Sequence, residues 1–316
     1  MKPQPVSCAG LVLISLFAMA PVFWGIYRPV GDDLDISGYL LGRDFINIWV
    51  APQIAFNADW RTLFDWQAYH EAIGPFFGQP LPFHNWSAPP FMLLLYWPFS
   101  QIPYFASLAI WTFLTLGAYL LAANVMLDGS RRLQGLVLLA LSPASLFNLI
   151  EGQNGYLTAA LFLGGFLALE RRPRAAGVMF GMLTLKPHLG LIIPIVLLRA
   201  RAWRVILTAA TVFTLLIAMS VAAFGVEPWI LFFTKTRAYQ TQLLLTFEGY
   251  YVYMMSSVFA AVRNHGLGVH WAWLLQIAVA IPVIAAAWLV WSRTEDRLLR
   301  VQLVVSAATL ITPYLF

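Results

Sequence analysis

Long apolar runs dominate this chain, and short polar breaks divide them. The runs fall at 8–27, 103–127, 133–150, 155–169, 175–198, 204–224, 270–292 and 298–316. A helix needs about 20 such residues to cross the roughly 30 Å hydrocarbon core of a bilayer. The pattern therefore predicts an all-α fold, a polytopic transmembrane helical bundle. It forms a single integral membrane domain over 1–316 with roughly eight to ten membrane segments. Two longer, more polar stretches, 28–102 and 225–269, are the predicted outer loops. Within the first, Phe45, Ile48, Trp49, Pro52 and Phe56 are spaced for one face of a short helix lying on the membrane. The run from Phe91 to Phe99, between Pro89-Pro90 and Pro98, is too short to span and is expected to dip into the interface.

Composition agrees with this reading. Hydrophobic residues make up 60% of the chain and charged residues 10%, and the mean hydropathy is +0.74. Soluble domains carry about 25% charged residues, so this surface cannot all face water. The formal net charge is +5. That charge does not indicate nucleic acid, because the arginines are scattered over short breaks between apolar runs, where they orient the chain in the membrane. The single cysteine, Cys8, lies inside the first run, so neither a disulfide framework nor a cysteine metal site is available. The N-terminal run has no convincing small-residue cleavage site before Arg28 and reads as a retained first span.

Four arginine clusters set the topology: Arg131-Arg132, Arg171-Arg172-Arg174, Arg199-Arg201-Arg204 and Arg293-Arg297-Arg300. The positive-inside tendency places them in the cytoplasm with the N-terminus. A single crossing at 175–198 would put one cluster outside. Two short arms meeting inside the membrane keep both clusters inside, with Lys186-Pro187-His188 at the turn. Pro187 favours such a break. The competing reading is one kinked span with Lys186 snorkelling to the interface.

Polar residues in so apolar a chain carry its candidate chemistry. Gly42-Arg43-Asp44-Phe45, with Asn47 one turn on, lies near the foot of the first outer loop. Asp44 could cap a helix, pair with Arg43, or act as a base. Glu151-Gly152-Gln153-Asn154-Gly155 separates two spans; a tight turn accounts for its Gly and Asn but not for Glu151 and Gln153. Lys186-Pro187-His188 is the third group and His84-Asn85-Trp86-Ser87 the fourth. The topology puts all four toward the outer side. The outer stretch 225–269 adds aromatics and Arg263. No phosphate-binding glycine loop, Gly-x-Ser-x-Gly elbow or His-Glu-x-x-His pattern occurs. Without a nucleotide loop, an activated substrate would come from the lipid phase.

Gly42-Arg43-Asp44-Phe45, Pro89-Pro90, Gly152-Gln153-Asn154, Gly177 with Gly181, and Lys186-Pro187 occur in an order and spacing that resemble glycosyltransferase family 87. These are GT-C-type, polyprenyl-phosphate-mannose-dependent α-mannosyltransferases of bacteria. The resemblance extends from about residue 10 to 315. It implies a GT-C-like fold in the bacterial cytoplasmic membrane, with the active site facing the periplasm or exterior. It also implies a polyprenyl-phosphate sugar donor, a glycan or glycolipid acceptor, and an Asp in the first outer loop as base, a role that falls on Asp44. The departing phosphate needs positive charge or hydrogen-bond donors. Lys186, His188, Gln153, Asn154 and Arg43 are the candidates, with Arg263 a weaker one. One carboxylate suffices, since phosphate leaves without a proton, and the displacement inverts the anomeric carbon. This chemistry requires no cofactor and no metal, although Mg²⁺ at the phosphate is compatible with it. Relatives continue past Pro313-Tyr314-Leu315-Phe316, so a shortened and inactive family member is one alternative expectation. A transporter or flippase of lipid-linked sugars is the other.

Overall fold

The computed structural model describes residues 7–31, 33–127, 129–246 and 255–313. Asp32, Phe247, Glu248, Tyr250, Tyr251, Tyr253 and the last three residues, all part of the sequence reading, lie outside the described residues. The chain is helical, and among the described residues the only strand-like pairing is two isolated bridges in the first loop. It divides into two compact units. One comprises Met1–Trp86, Pro90–Ala160 and Phe224–Pro228, and the other comprises the remainder.

The first unit begins with α1 (Cys8–Val22), started by Ser7, whose hydroxyl accepts from the Gly10 amide at 3.1 Å. Pro21 lies inside this helix, and the chain continues as a π turn over Phe23–Tyr27. The turn aims Tyr27 inward, where it is 2% exposed. After the loop come α2 (Phe45–Asn57), α3 (Trp66–Ile73), α4 (Met92–Ser100) and α5 (Tyr104–Asn124). α2 packs along α4. Its residues Phe45, Ile46, Val50, Ala51 and Ile54 are all buried. The expectation of a surface helix with one lipid-facing side is therefore corrected. α2 is a core helix, apolar nearly all round because neighbours enclose it. The amphipathic helix of this loop is instead α3, which buries only Tyr69 and Ile73 and starts on the side chain of Asp65.

α6 (Arg132–Ala140) and α7 (Pro143–Glu151) together match the run at 133–150, bent by 46° at their junction. The bend has a local cause. Ser142 caps α7 from an extended backbone, and Pro143 occupies its first turn. α8 (Gly155–Ala168) leads into the second unit.

The second unit contains α9 (Pro173–Met182), α10 (Ile192–Arg199) and α11 (Trp203–Phe224), followed by helices that include Val269–Arg293 and Arg297–Ile311. α9 and α11 run in the same direction. Gly177 lies against Val205 and Thr208, and four residues on Gly181 lies against Ala209 and Val212. Small residues at i and i+4 let the two backbones approach closely. α10 runs back between them in sequence. Arg199 at its end lines the same cavity as Pro173, which starts α9, and Trp203, which starts α11. The segment is thus a helical hairpin and not one kinked helix. Its apex is non-helical, with Lys186 at φ −127° and ψ 77° and a 3-10 turn over Pro187–Gly190. Arg300 pairs with Glu170 at 2.8 Å, and Thr312, past the other end of the same 15-residue helix, donates to the His188 carbonyl at 3.1 Å. Arg300 and Thr312 are twelve residues apart, a helical rise of about 18 Å, so the apex lies about that far from the arginine-rich end.

Four described helices are long and apolar enough to cross a membrane: Cys8–Tyr27, Tyr104–Asn124, Trp203–Phe224 and Val269–Arg293. The bent α6–α7 pair passes the same test when its two helices are taken together as one broken span. The remaining predicted spans are shorter helices or the hairpin.

Candidate active site

The site is built where the first loop meets the turn after α7. Residues 28–44 fold back on themselves: Val30 donates to the Leu34 carbonyl and Asp35 to the Tyr39 carbonyl, both at 2.8 Å. Asp35 is 4% exposed, and its Oδ1 accepts from the amides of Ser37 at 2.8 Å and Tyr39 at 3.1 Å. Its Oδ2 accepts from Arg43 Nε at 2.8 Å. A carboxylate this occupied is a structural acid.

Arg43 is buried, at 8% exposure, and protein groups take up its guanidinium. Asp35 lies at 2.7 Å, the Ile26 carbonyl accepts at 2.9 Å, and Glu151 lies at 3.7 Å. The rings of Tyr27 and Tyr39 pack against it at 4.1 and 4.7 Å. Tyr27 also donates to Glu151. This five-residue knot ties the end of the first span to the end of α7. Burial raises the Tyr39 phenol pKa, with Arg43 opposing. The sequence expectation that Arg43 meets a substrate phosphate stands against this geometry, because its planar fork is already engaged.

Asp44 follows directly and is only partly buried. It occupies the residue before α2 but has a helical backbone, and its side chain makes no cap hydrogen bond. Of the readings its sequence position allowed, helix capping is removed. Its amide donates to the Glu151 carbonyl at 3.0 Å, and its carboxylate accepts from the Gln153 side chain. The two segments meet through glycines. Gly152 ends α7 in the left-handed conformation at φ +59°, and a Cβ there would lie 2.3 Å from the Gly42 carbonyl oxygen. Only glycine allows so close an approach. The structure thus joins Asp44 to Gln153 across 109 residues of sequence.

Asn154 lies beside them. Its Nδ2 faces the Tyr96 hydroxyl at 3.5 Å, and its Oδ1 is buried without a partner. Trp86, whose ring packs edge-on to Tyr96, also buries an unpartnered Nε1. Asn47 accepts from the Tyr69 hydroxyl at 2.7 Å. Burial, and then the charge of Asp44, raise the Tyr69 phenol well above its ordinary range. His84 packs edge-on to Tyr39, and its Nδ1 is 2.7 Å from the Pro82 carbonyl. Burial lowers its pKa to about 4, so it is neutral at pH 7.

Lys186 and His188 belong to the second unit, at the hairpin apex, and both are partly buried. Arg263, also in that unit, donates to the Leu245 carbonyl at 2.7 Å. Among the described residues no cluster of three or more His, Cys, Asp or Glu is arranged to hold a metal.

Tyr27, Tyr39, Tyr69 and Tyr96 were not anticipated as site neighbours. The one local signal was the spacing Asp35-Ile36-Ser37-Gly38-Tyr39, which suits a side-chain-capped turn.

No significant match was found among curated proteins or among solved structures. The family model for glycosyltransferase family 87 matches residues 86–313. Gln153, Asn154, Lys186 and His188 fall inside the match, and Arg43 and Asp44 precede it. With more than half its length matched, and with helices long and apolar enough to cross a bilayer, this chain belongs to glycosyltransferase family 87 and is a membrane glycosyltransferase.

Proposed function

We propose that the protein transfers a hexose, mannose in the simplest reading, from a polyprenyl-phosphate donor to an acceptor hydroxyl on the outer face of the bacterial cytoplasmic membrane. Asp44 is the general base. The acceptor oxygen attacks the anomeric carbon, the bond from that carbon to the phosphate oxygen breaks, and configuration inverts. The hydroxyl proton passes to Asp44, and polyprenyl phosphate leaves as the anion. The observation that carries this reading is the state of the carboxylates. Asp35 is occupied by two amides and Arg43, and Asp59 caps a turn and faces Arg61 at 3.6 Å. Asp44 makes no helix-cap hydrogen bond, and its carboxylate accepts from the Gln153 side-chain amide, which joins it to the turn after α7.

The supporting roles follow from chemistry. Gln153 orients the base. Asn154 and Trp86 bury polar atoms that a sugar hydroxyl would satisfy, since such atoms are costly when left unpaired. Arg43 acts as the anchor of the loop. Lys186 and His188 are assigned to the departing phosphate, because a cationic or hydrogen-bonding group at a broken helix within an apolar chain fits an anion. The donor comes from the lipid phase.

The test is donor competition in membranes containing the protein. Radiolabelled mannose should pass from polyprenyl phosphate to endogenous acceptor, and a nucleotide-mannose should give no transfer once lipid-donor synthesis is blocked. Transfer from the nucleotide sugar under that block would refute the donor assignment.

A further inference from the structure

At the arginine-rich end of the second unit lies a cavity of about 660 Å³ that takes no part in the reading above. Arg199, Arg201, Arg204 and Arg300 line it, and Glu170 is its one acid. A neighbouring depression of about 430 Å³ shares Arg204 and adds Arg172 and Arg174. Glu170 is already paired with Arg300, which leaves a strong excess of positive charge.

The arginines are held in place as well as concentrated. Arg300 lies over the Trp291 ring at 5.1 Å, and Arg199 over the Trp288 ring at 5.5 Å. Such stacking fixes a guanidinium plane and leaves its edge to meet an anion. The Nε atoms of both are buried without a hydrogen-bond partner. Buried donors of this kind are rare unless a ligand completes them. Arg201 is held at φ +50°, a left-handed conformation that costs a non-glycine residue energy. The lining includes Trp203, which is 57% exposed, and Leu207, one turn further along α11, is 67% exposed.

We propose that this cavity binds the phosphate headgroup of an anionic phospholipid. Phosphate supplies acceptor oxygens matched to arginine forks. A free anion would satisfy the arginines equally well. It would have no use for the exposed tryptophan in the lining or the exposed leucine one helical turn beyond it, which suit the glycerol and acyl chains of a lipid. Basic pockets between helices on the cytoplasmic side are a recognised setting for such headgroups. The site is separate from the Lys186 apex, which lies at the other end of the Arg297–Ile311 helix.

The test is native mass spectrometry of the detergent-purified full chain, with added dioleoyl phosphatidylglycerol, tetraoleoyl cardiolipin, phosphatidylethanolamine or inorganic phosphate. Melting curves are recorded in parallel. The wild type should retain the two anionic lipids at least about tenfold over phosphatidylethanolamine, and these lipids should raise its melting temperature. Each arginine removed should weaken retention about fivefold, so R199Q/R204Q should lose most of it. Arg201→Gly serves where that double variant fails to fold. It removes a charge but relieves the left-handed strain, so its lipid-free melting temperature should hold or rise while lipid retention falls. Unchanged retention in Arg201→Gly would overturn the proposal. Equal stabilisation by inorganic phosphate alone would also overturn it, by showing a free-anion site.

Discussion

Gly152→Ala probes the joint on which the site depends. The substitution adds one methyl group in a left-handed backbone at φ +59°. The conformational cost alone is about 1 kcal/mol. The methyl carbon would then lie 2.3 Å from the Gly42 carbonyl oxygen and 2.6 Å from Phe45 Cβ, whereas ordinary contact begins near 3.4 Å. Backbone cannot swing aside as a side chain can, so the segments must part by about 1 Å, at an overpacking cost of about 1–3 kcal/mol. That movement strains the Asp44 amide to Glu151 carbonyl bond at 3.0 Å and withdraws Gln153 from the Asp44 carboxylate. A displacement of about 1 Å at reacting groups costs on the order of 10²-fold in rate. Gly78→Ala is the control, because Gly78 is also left-handed at φ +66° but has nothing within 4 Å of the added carbon. Sugar transfer in membranes and melting in detergent are measured for both. Gly78→Ala should lose only the conformational term and keep its turnover. Gly152→Ala should melt lower still and lose about 10²-fold in turnover. If the two variants behave alike, the close approach of these segments does not position the base.

Three further outcomes are expected. In a Cys8→Ser background on intact cells, an impermeant thiol reagent should label Glu71→Cys and not Arg172→Cys; the reverse pattern would invert the topology. His84 has its pKa lowered by burial to about 4, against an ordinary value near 6.5. The unfolded chain therefore binds the extra proton first, and stability should fall as pH drops from about 6.5 to about 4. His84→Gln should flatten that part of the melting-temperature profile, and an unchanged slope would remove His84 as its source. Lys186→Gln should lower turnover by about 10²–10³-fold if it stabilises the departing phosphate; wild-type turnover would exclude it.

The membrane-crossing helices were legible because a long apolar run has few alternatives in water. The hairpin at Lys186 was legible because two arginine clusters and one proline constrain it together. The Arg43 knot was not. Its partners Tyr27, Asp35 and Glu151 come from three separate segments, and the longest link spans 124 residues. No local pattern reports a pairing that depends on tertiary folding. The burial of α2 was missed for a related reason. Its apolar residues looked like one face because the neighbours on its other faces, among them α4, are distant in sequence. Gly152 was read as a turn residue, which it is, but its second role of admitting the Gly42 carbonyl needs both segments in view.

In the proposed reaction Asp44 accepts the acceptor's proton. Asp44→Asn keeps the size of the side chain and can still hydrogen-bond to Gln153 through its carbonyl oxygen, but it cannot act as that base. The direct measurement is single-turnover transfer of radiolabelled mannose from polyprenyl phosphate, with donor binding measured separately. Turnover should fall by about 10²–10⁴-fold, the scale of general-base assistance, while donor affinity changes little. Near wild-type turnover in Asp44→Asn would show that Asp44 is not the base.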